Sequence, residues 1–147
     1  MTSESKSLKN ITSIEDLRLL AHRKVPRDFL DYYESGSYAE ETLAANRAAL
    51  SRITFRQRVL ADADNRDLQS TMIGQPVAMP VAIAPIGMMG MAHRDGEIHA
   101  CRAAQAAGVP FTLSTMSICS IEDVAAAVSK PFWFQLYVLK DRDFVYN

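Results

Sequence analysis

The sequence predicts an α/β fold with a parallel sheet, preceded by a helical segment. Two observations carry this prediction. From Val81 onward, short and almost continuous apolar runs alternate with helical patterns, and three such strand–helix units follow one another. Apolar runs without polar alternation are typical of parallel strands that helices cover on both faces.

The amino-terminal part of the chain contains three predicted helices. The first starts at Ser13, where "SIED" places a capping serine before two acids. The second covers residues 26–36, with proline in its first turn and glycine at its end. The third covers residues 40–50, and "ITFRQRVL" at 53–60 then alternates as an exposed strand or an extended arm would.

A hairpin around Gly74 leads into the strand–helix units. The predicted strands are "VAIAP", "VPFTLS" and "FWFQLYV". The first precedes the helix "RDGEIHACRAAQAAG", the second precedes "SIEDVAAAVS", and the third precedes "KDRDFVYN". We therefore expect a flexible tail at 1–12, a helical segment with an arm and the start of the hairpin at 13–76, and strand–helix units at 77–147.

Composition indicates a soluble globular domain, since 48% of the 147 residues are hydrophobic and 22% are charged. A net charge of −1 gives no electrostatic signature of nucleic-acid binding. Proline and glycine interrupt every long apolar run, and the amino terminus lacks a signal peptide, so we expect a cytoplasmic protein without a membrane span. Cys101 and Cys119 are expected to pack in the interior.

Three strand–helix units do not close a barrel, because eight-stranded barrels need about 250 residues. A three-stranded parallel sheet also leaves two edges unpaired. We therefore expect this chain to be a truncated product, a fragment of a longer protein, or a piece that needs a partner.

Ligands of parallel α/β folds bind beyond the carboxyl ends of the strands. The carboxamide of Gln135 at such an end both donates and accepts, and so matches a ring that alternates carbonyl and N–H groups. Gly87 and Gly90 fit neither a dinucleotide fingerprint nor a P-loop, but they allow close backbone approach and freedom in φ. From the residues alone, Gln135 and Tyr137 are equally compatible with a polar rim.

Several other polar and sulfur-containing residues are expected to be structural. Ser114 is compatible with a capping role at a strand end. The methionines that flank Gly90 are expected to pack, and no pair of histidines has metal-ligand spacing. The remaining polar residues of this stretch, Arg94, Asp95 and Glu97, are interpreted as a solvated helix start.

Four motifs together resemble the FMN-dependent α-hydroxy-acid dehydrogenase and oxidase family. They are "VPRDFLDYYESGS", "MPVAIAPIGMMGMAHRDGE", "GVPFTLSTMSICSIEDVA" and "FWFQLYVLKDRDF". The last two look most like the bacterial flavin-linked L-lactate dehydrogenases. The resemblance implies a (β/α)8 TIM barrel, of which this chain carries the helical segment and the first three units. It also implies FMN as cofactor and oxidation of an L-2-hydroxy acid, L-lactate to pyruvate.

The resemblance implies a role for individual residues. Tyr32 would hold the substrate carboxylate, and Tyr137 would bind the substrate and stabilise the charge that develops on its oxygen during catalysis. The other implied positions would contact the flavin ring: Pro85, Ile86 and Gly87 line it, while Ser114 and Gln135 form hydrogen bonds to it. No metal is implied.

The same resemblance places the catalytic histidine, the arginine beside it, a flavin-contacting lysine and the phosphate site beyond residue 147, so this chain alone is expected to be inactive. Gly87, where many oxidases carry alanine, favours a quinone or cytochrome over oxygen as electron acceptor. Homo-oligomerisation and a peripheral contact with the inner face of the cytoplasmic membrane stay open. The alternative is a non-catalytic truncated module that self-associates or pairs with another chain. A nicotinamide-binding domain lacks support because the glycine spacing is wrong.

Overall fold

The computed structural model of the chain describes residues 11–60, 65–140 and 145. The chain divides into two compact units, residues 1–61 and 62–147. The first unit is helical, and the second contains every strand in the described part of the chain. Among the described residues, no helix combines the length and the apolar character that crossing a membrane requires.

The helical unit contains α1 (Ile14–Lys24), α2 (Arg27–Glu34) and α3 (Glu41–Ser51). The predicted start at Ser13 is confirmed: its hydroxyl accepts from the Asp16 N–H, and the Asp16 carboxylate accepts from the Ser13 N–H. Such a reciprocal capping box satisfies N–H groups that lack partners inside the helix. The other two helices begin one residue later than predicted, and α2 ends at Glu34 rather than at the predicted glycine. Residues 53–60 form no strand and are exposed.

An ion pair joins the first two helices of this unit. Arg18 Nε lies 2.6 Å from Glu34 Oε1, and its Nη2 lies 3.0 Å from Oε2. His22 Nε2 lies 3.1 Å from the same carboxylate. The bidentate geometry fixes direction as well as distance, and the hydrogen bonds from Arg18 hold the pKa of Glu34 below its ordinary value. Among the described residues of this unit, Leu30 is the buried hydrophobic residue, so this ion pair supplements a small apolar contact.

The second unit begins with an antiparallel hairpin of β1 (Ser70–Met72) and β2 (Gln75–Val77), which confirms the predicted hairpin. Its two turn residues, Ile73 and Gly74, both have positive φ, at 48° and 73°. Positive φ at both central residues is the geometry that matches the twist of paired strands.

Parallel strands follow the hairpin, as predicted, but they are shorter than predicted. The strands β3 (Thr112–Ser114) and β4 (Trp133–Gln135) pair in parallel. The first predicted strand contributes one parallel bridge, between Ile83 and Phe111. This strand is short because prolines flank it on both sides, and proline has no N–H for a ladder.

Three helices pack with these strands: α4 (Met89–Ala92), α5 (Gly96–Ala107) and α6 (Ile121–Ala126). The second "SIED" is confirmed as a helix start, because the Ser120 side chain accepts from the Asp123 N–H. The core joins α5, β3 and α6 through Cys101, Ala104, Phe111, Leu113 and Val124. The helix expected after β4 falls almost wholly on residues outside the described part of the chain.

Gly108 ends α5 in the left-handed conformation, at φ 70°, and a Cβ there would lie 2.9 Å from the Ala78 Cβ. Gly74 has nearly the same φ, 73°, with no atom within 4 Å of a Cβ. We expect Gly74→Ala to lower the free energy of unfolding by about 1–2 kcal/mol, the cost of left-handed backbone for alanine. Gly108→Ala should cost about 1–3 kcal/mol more, because it adds overpacking. Urea unfolding of both variants measures the difference, and equal losses would contradict the close approach of α5 to Ala78.

Candidate functional site

The carboxyl ends of the parallel strands lie side by side in the second unit. The register pairs Ser114 with Gln135. The Ser114 hydroxyl donates to the Gln135 carboxamide oxygen at 3.4 Å. The first loop (residues 84–95, including α4) meets the second loop (residues 115–120) where the Met88 N–H donates to the Met116 carbonyl at 2.7 Å. Three separate segments of sequence therefore form one edge.

Gly87 allows the first loop to approach the second closely. A Cβ on Gly87 would lie 3.3 Å from the Met116 Cβ and 4.0 Å from the Ser114 hydroxyl. At Gly90 the approach is closer, since a Cβ there would lie 2.8 Å from the Ile118 Cβ. Neither glycine has a positive φ, and the left-handed residue between them is Met88, at φ 55°. The expectation that these glycines supply freedom in φ is therefore wrong, and their use is close packing of two loops.

The edge combines an exposed apolar side with a polar interior side. Pro85 is exposed, and 43% of Ile86 and 48% of Tyr137 are accessible. Ser114 is buried and Gln135 is half-buried beside it. The chemistry of these groups suits a flat heteroaromatic ring whose rim carries both donors and acceptors. An isoalloxazine ring meets that description, so the residues fit the flavin part of FMN.

Thr115 is a residue of this edge that the sequence interpretation missed. Its hydroxyl donates to the Gln135 carbonyl and accepts from the Tyr137 N–H at 3.0 Å. One side chain thus fixes the main chain on both sides of Leu136. A hydroxyl residue directly after a strand was visible in the sequence, but its partners become known only from the β3–β4 register.

Glu97 is the clear correction to the sequence interpretation, which placed it in a solvated helix start. Only 1% of this residue is exposed. Its Oε1 accepts from the Gly90 N–H at 3.1 Å and from the Ile118 N–H at 2.9 Å. It points inward because the two loops present N–H groups that need an acceptor once water is excluded. The neighbours Arg94 and Asp95 are exposed, as expected.

The electrostatics of Glu97 follow from these contacts. Burial acts to raise its pKa, but hydrogen bonds, the strongest from the Ile118 N–H, outweigh burial and leave the pKa below its ordinary value. The Cys119 thiol faces this carboxylate, and burial together with Glu97 raises the pKa of Cys119 to about 11. At neutral pH, Glu97 is therefore ionised and Cys119 is a protonated thiol.

The other residues singled out in the sequence lie on the helical unit, in the two loops or on α5. Tyr32 lies on α2, is 58% exposed, and has its ring centroid 5.5 Å from that of Tyr33. His93 and His99 are exposed and pack edge to face, 5.4 Å apart. Residues 11–60, 65–140 and 145 contain no group of three or more metal-binding side chains. Cys101 is fully buried as expected, whereas Cys119 is only half-buried.

Removing the Thr115 hydroxyl should loosen the chain after β4. We expect Thr115→Val to speed amide exchange at Tyr137 and to lower the free energy of unfolding by about 1 kcal/mol, the net value of an ordinary hydrogen bond. Thr115→Ser should keep both contacts. Thr112→Val is the matched control, because the Thr112 side chain has no hydrogen bond among the described residues. Unchanged exchange at Tyr137 in Thr115→Val would contradict this role.

The lowered pKa of Glu97 predicts a stability that falls in acid. A carboxylate whose pKa is lower folded than unfolded stabilises the fold above the unfolded pKa, about 4.3 for Glu. That contribution disappears as the pH falls through the folded pKa. Urea unfolding at several pH values should show this slope in the wild type and a shallower one in Glu97→Gln. Measurements at high salt isolate the buried group, since salt screens exposed charges more strongly. Identical slopes would contradict the assignment.

Comparison with known proteins identifies the family of the chain. Residues 21–147 match the FMN-dependent dehydrogenase family. The L-lactate dehydrogenase of Ectopseudomonas mendocina (strain ymp) is 50% identical over 137 residues, which are 93% of this chain and 36% of that protein. The L-lactate dehydrogenase of Pseudomonas aeruginosa (strain LESB58) is 51% identical over the same length, again covering 36% of the relative. The chain therefore spans little more than a third of these curated relatives.

Solved structures of similar fold match the chain over a similar share of their length. A soluble mutant of the membrane-associated (S)-mandelate dehydrogenase from Pseudomonas putida is 38% identical, with a TM-score of 0.83 over 88% of this chain and 37% of that one. The monotopic membrane protein (S)-mandelate dehydrogenase gives a TM-score of 0.85 at 36% identity, over 92% of this chain and 36% of that one. The resemblance drawn from the four motifs is confirmed. The chain belongs to the FMN-dependent dehydrogenase family and carries the amino-terminal part of its TIM barrel.

Proposed function

We propose that this chain supplies the flavin-ring edge of an FMN-dependent L-2-hydroxy-acid dehydrogenase that oxidises L-lactate to pyruvate. The observation that carries the proposal is the convergence of Gly87, Ser114 and Gln135 at the carboxyl ends of adjacent parallel strands, in a chain of this family. L-lactate is favoured because L-lactate dehydrogenases share about half of their residues with this chain over 137 positions.

The positions of the groups support the proposed ring-binding roles. Pro85 and Ile86 offer an exposed apolar surface for one face of the ring, and the main chain at Gly87 approaches without a side chain in the way. Ser114 and Gln135 supply a hydroxyl and a carboxamide to the polar rim. Their mutual hydrogen bond orients both groups before a ligand binds, which reduces the ordering cost of binding.

The substrate roles belong to two tyrosines. Tyr137 is half-exposed just beyond β4, and its main-chain N–H is held by Thr115. We infer that its phenol donates to the substrate oxygen on which charge develops, because such a hydrogen bond stabilises the transition state more than the ground state. The role proposed for Tyr32, a second phenol that holds the substrate carboxylate, rests on the family resemblance. FMN, when bound, supplies the acceptor for the two electrons that leave the substrate.

The proton acceptor of the reaction is assigned to sequence outside residues 1–147. The chain has three histidines. His93 and His99 lie on the first loop and α5, His22 pairs with Glu34 in the helical unit, and none follows β3 or β4. Glu97 is buried under the loops with its Oε1 already accepting two hydrogen bonds. We therefore assign binding and orientation to this chain, and proton transfer to the remainder of the barrel.

The electron acceptor is proposed to be a quinone or a cytochrome, and the protein is placed in the cytoplasm or at the inner face of the cytoplasmic membrane. A (S)-mandelate dehydrogenase of similar structure is described as a monotopic membrane protein. A peripheral contact would bring the reduced enzyme near a membrane-bound acceptor. Assembly into a homo-oligomer is part of the same proposal.

Titration of the purified chain with FMN tests the ring edge. We expect quenching of flavin fluorescence and a shifted visible spectrum. Gln135→Leu should weaken binding by about tenfold. The variant loses one hydrogen bond between uncharged groups, and the ring atom that formed it is left without a partner. Glu122→Gln, on the exposed surface of α6, is the matched control and should bind as the wild type does. Equal affinity in Gln135→Leu would contradict the assignment.

Addition of L-lactate to the same complex tests the division of labour. The chain alone should leave the flavin oxidised, while protein expressed from a reading frame extended to the length of the relatives should lose its flavin colour with L-lactate. Bleaching by the 147-residue chain would contradict our assignment of the base. Failure of the extended protein with L-lactate, but bleaching with another L-2-hydroxy acid, would overturn the choice of substrate.

A second candidate function is a non-catalytic module that self-associates or pairs with another chain. The observation that favours it is the free side of β4: among the described residues β4 pairs with β3 alone, and the following Leu136, Val138 and Leu139 are exposed. Unpaired strand edges and exposed apolar residues favour association. Sedimentation of the 147-residue chain separates the two functions, since a stable dimer that does not bind FMN would support the module.

A further inference from the structure

We propose that Glu97 is a positioning residue for the flavin edge, holding the first and second loops in the register that brings Gly87 next to Ser114. This inference rests on the proposed function, because it takes that edge to be the ring-binding surface. In this proposal Glu97 contacts neither the ring nor the substrate, and it acts on the ring site through the main chain of the two loops.

The geometry of the contact carries the inference. Glu97 lies in the first turn of α5, yet one of its oxygens accepts from both loops, through the N–H groups of Gly90 and Ile118. Gly90 is three residues beyond Gly87, and Ile118 is four beyond Ser114. A single acceptor therefore joins the two segments that continue from the ring-facing residues.

The two loops meet so closely that their relative position has little freedom. The Met88 N–H donates to the Met116 carbonyl at 2.7 Å, between the Glu97 contact and the ring edge. A Cβ on Gly90 would lie only 2.8 Å from the Ile118 Cβ. The Met88 contact and the Glu97 contact together fix the orientation of one loop relative to the other. The Met88 contact alone would let the loops rotate about it.

Burial shows why a charged residue serves here. A carboxylate in the first turn of a helix gains from the helix dipole while still facing solvent, so the dipole does not explain an exposure of 1%. Removing a carboxylate from water is costly unless hydrogen bonds replace the solvent. The replacement on Oε1 comes from the N–H groups of Gly90 and Ile118, one from each loop. The charge and the loop conformation thus depend on each other.

The alternative is that Glu97 only stabilises the fold. The two roles predict different properties for the folded variants, which can be measured well below the unfolding temperature. A merely stabilising residue alters the unfolding midpoint and leaves the ring site unchanged. A positioning residue alters the affinity for FMN and the spectrum of the bound flavin while the protein is still folded.

The experiment compares Glu97→Leu, Glu97→Gln and the control Glu122→Gln in the full chain. Amide exchange is measured without FMN, and FMN affinity and the visible spectrum are measured at a temperature where each variant is folded. We expect faster exchange at Gly90, Ile118 and Met88 in Glu97→Leu, with the Kd for FMN raised about tenfold or more, the equivalent of one charge-assisted hydrogen bond. Glu97→Gln keeps an acceptor oxygen and should fall between this variant and the control.

Each outcome decides the proposal. Unchanged exchange at both loops in the Glu97 variants overturns it, and so does faster exchange with an unchanged Kd and spectrum, which would leave Glu97 a stabilising residue only. If Glu97→Leu does not fold, the comparison of Glu97→Gln with Glu122→Gln decides in the same way. If the wild-type chain fails to bind FMN, the FMN measurements are made with the same variants in protein extended to the length of the relatives. Failure of that protein too contradicts the proposed function, and the exchange data alone then support or overturn the joining of the loops.

Discussion

The parallel register of β3 with β4 is the constraint from which the proposed flavin edge follows. It places Ser114 opposite Gln135, and parallel strands end at the same side of a sheet, so whatever follows each strand is brought together there. The hydrogen bond between these two side chains and the Thr115 contacts with residues 135 and 137 are consequences of that alignment. A shift of one residue would turn every one of these side chains to the opposite face.

The second requirement concerns the first loop, which contributes main chain rather than side chains to the edge. Two glycines let the first loop lie against the second at distances that a Cβ would not allow or would allow only with displacement. Close approach of backbones encloses N–H groups, and enclosed N–H groups need acceptors. Glu97 is that acceptor. The glycines and the buried carboxylate are thus two parts of one arrangement, although ten residues separate Gly87 from Glu97 in the sequence.

Much of the fold was predictable because local signals determine it. The two "SIED" segments identify helix starts through side-chain capping, and the turn at Gly74 identifies the hairpin. Strand lengths were overestimated, because apolar runs mark burial as well as pairing and the prolines around the first strand remove ladder donors. The role of Glu97 was not predictable, since acids next to a helix start are usually solvated and its partners come from segments 7 and 21 residues away. The positions of Ser114 and Gln135 were found through the rule on strand ends, whereas their flavin role came from the family resemblance.

The arrangement separates the binding of a cofactor ring from the chemistry done on it. Every group assigned to the ring comes from segments within residues 85–135, and they are joined to one another by contacts inside the second unit. Such an edge can be ordered by the first strand–helix units alone, because its contacts connect neighbouring strands rather than opposite sides of a barrel. A proton acceptor has a different requirement, since it must reach the substrate rather than the rim of the ring. In the proposed function a later part of the barrel contributes that group, so ring binding and proton transfer would rest on different segments of the protein.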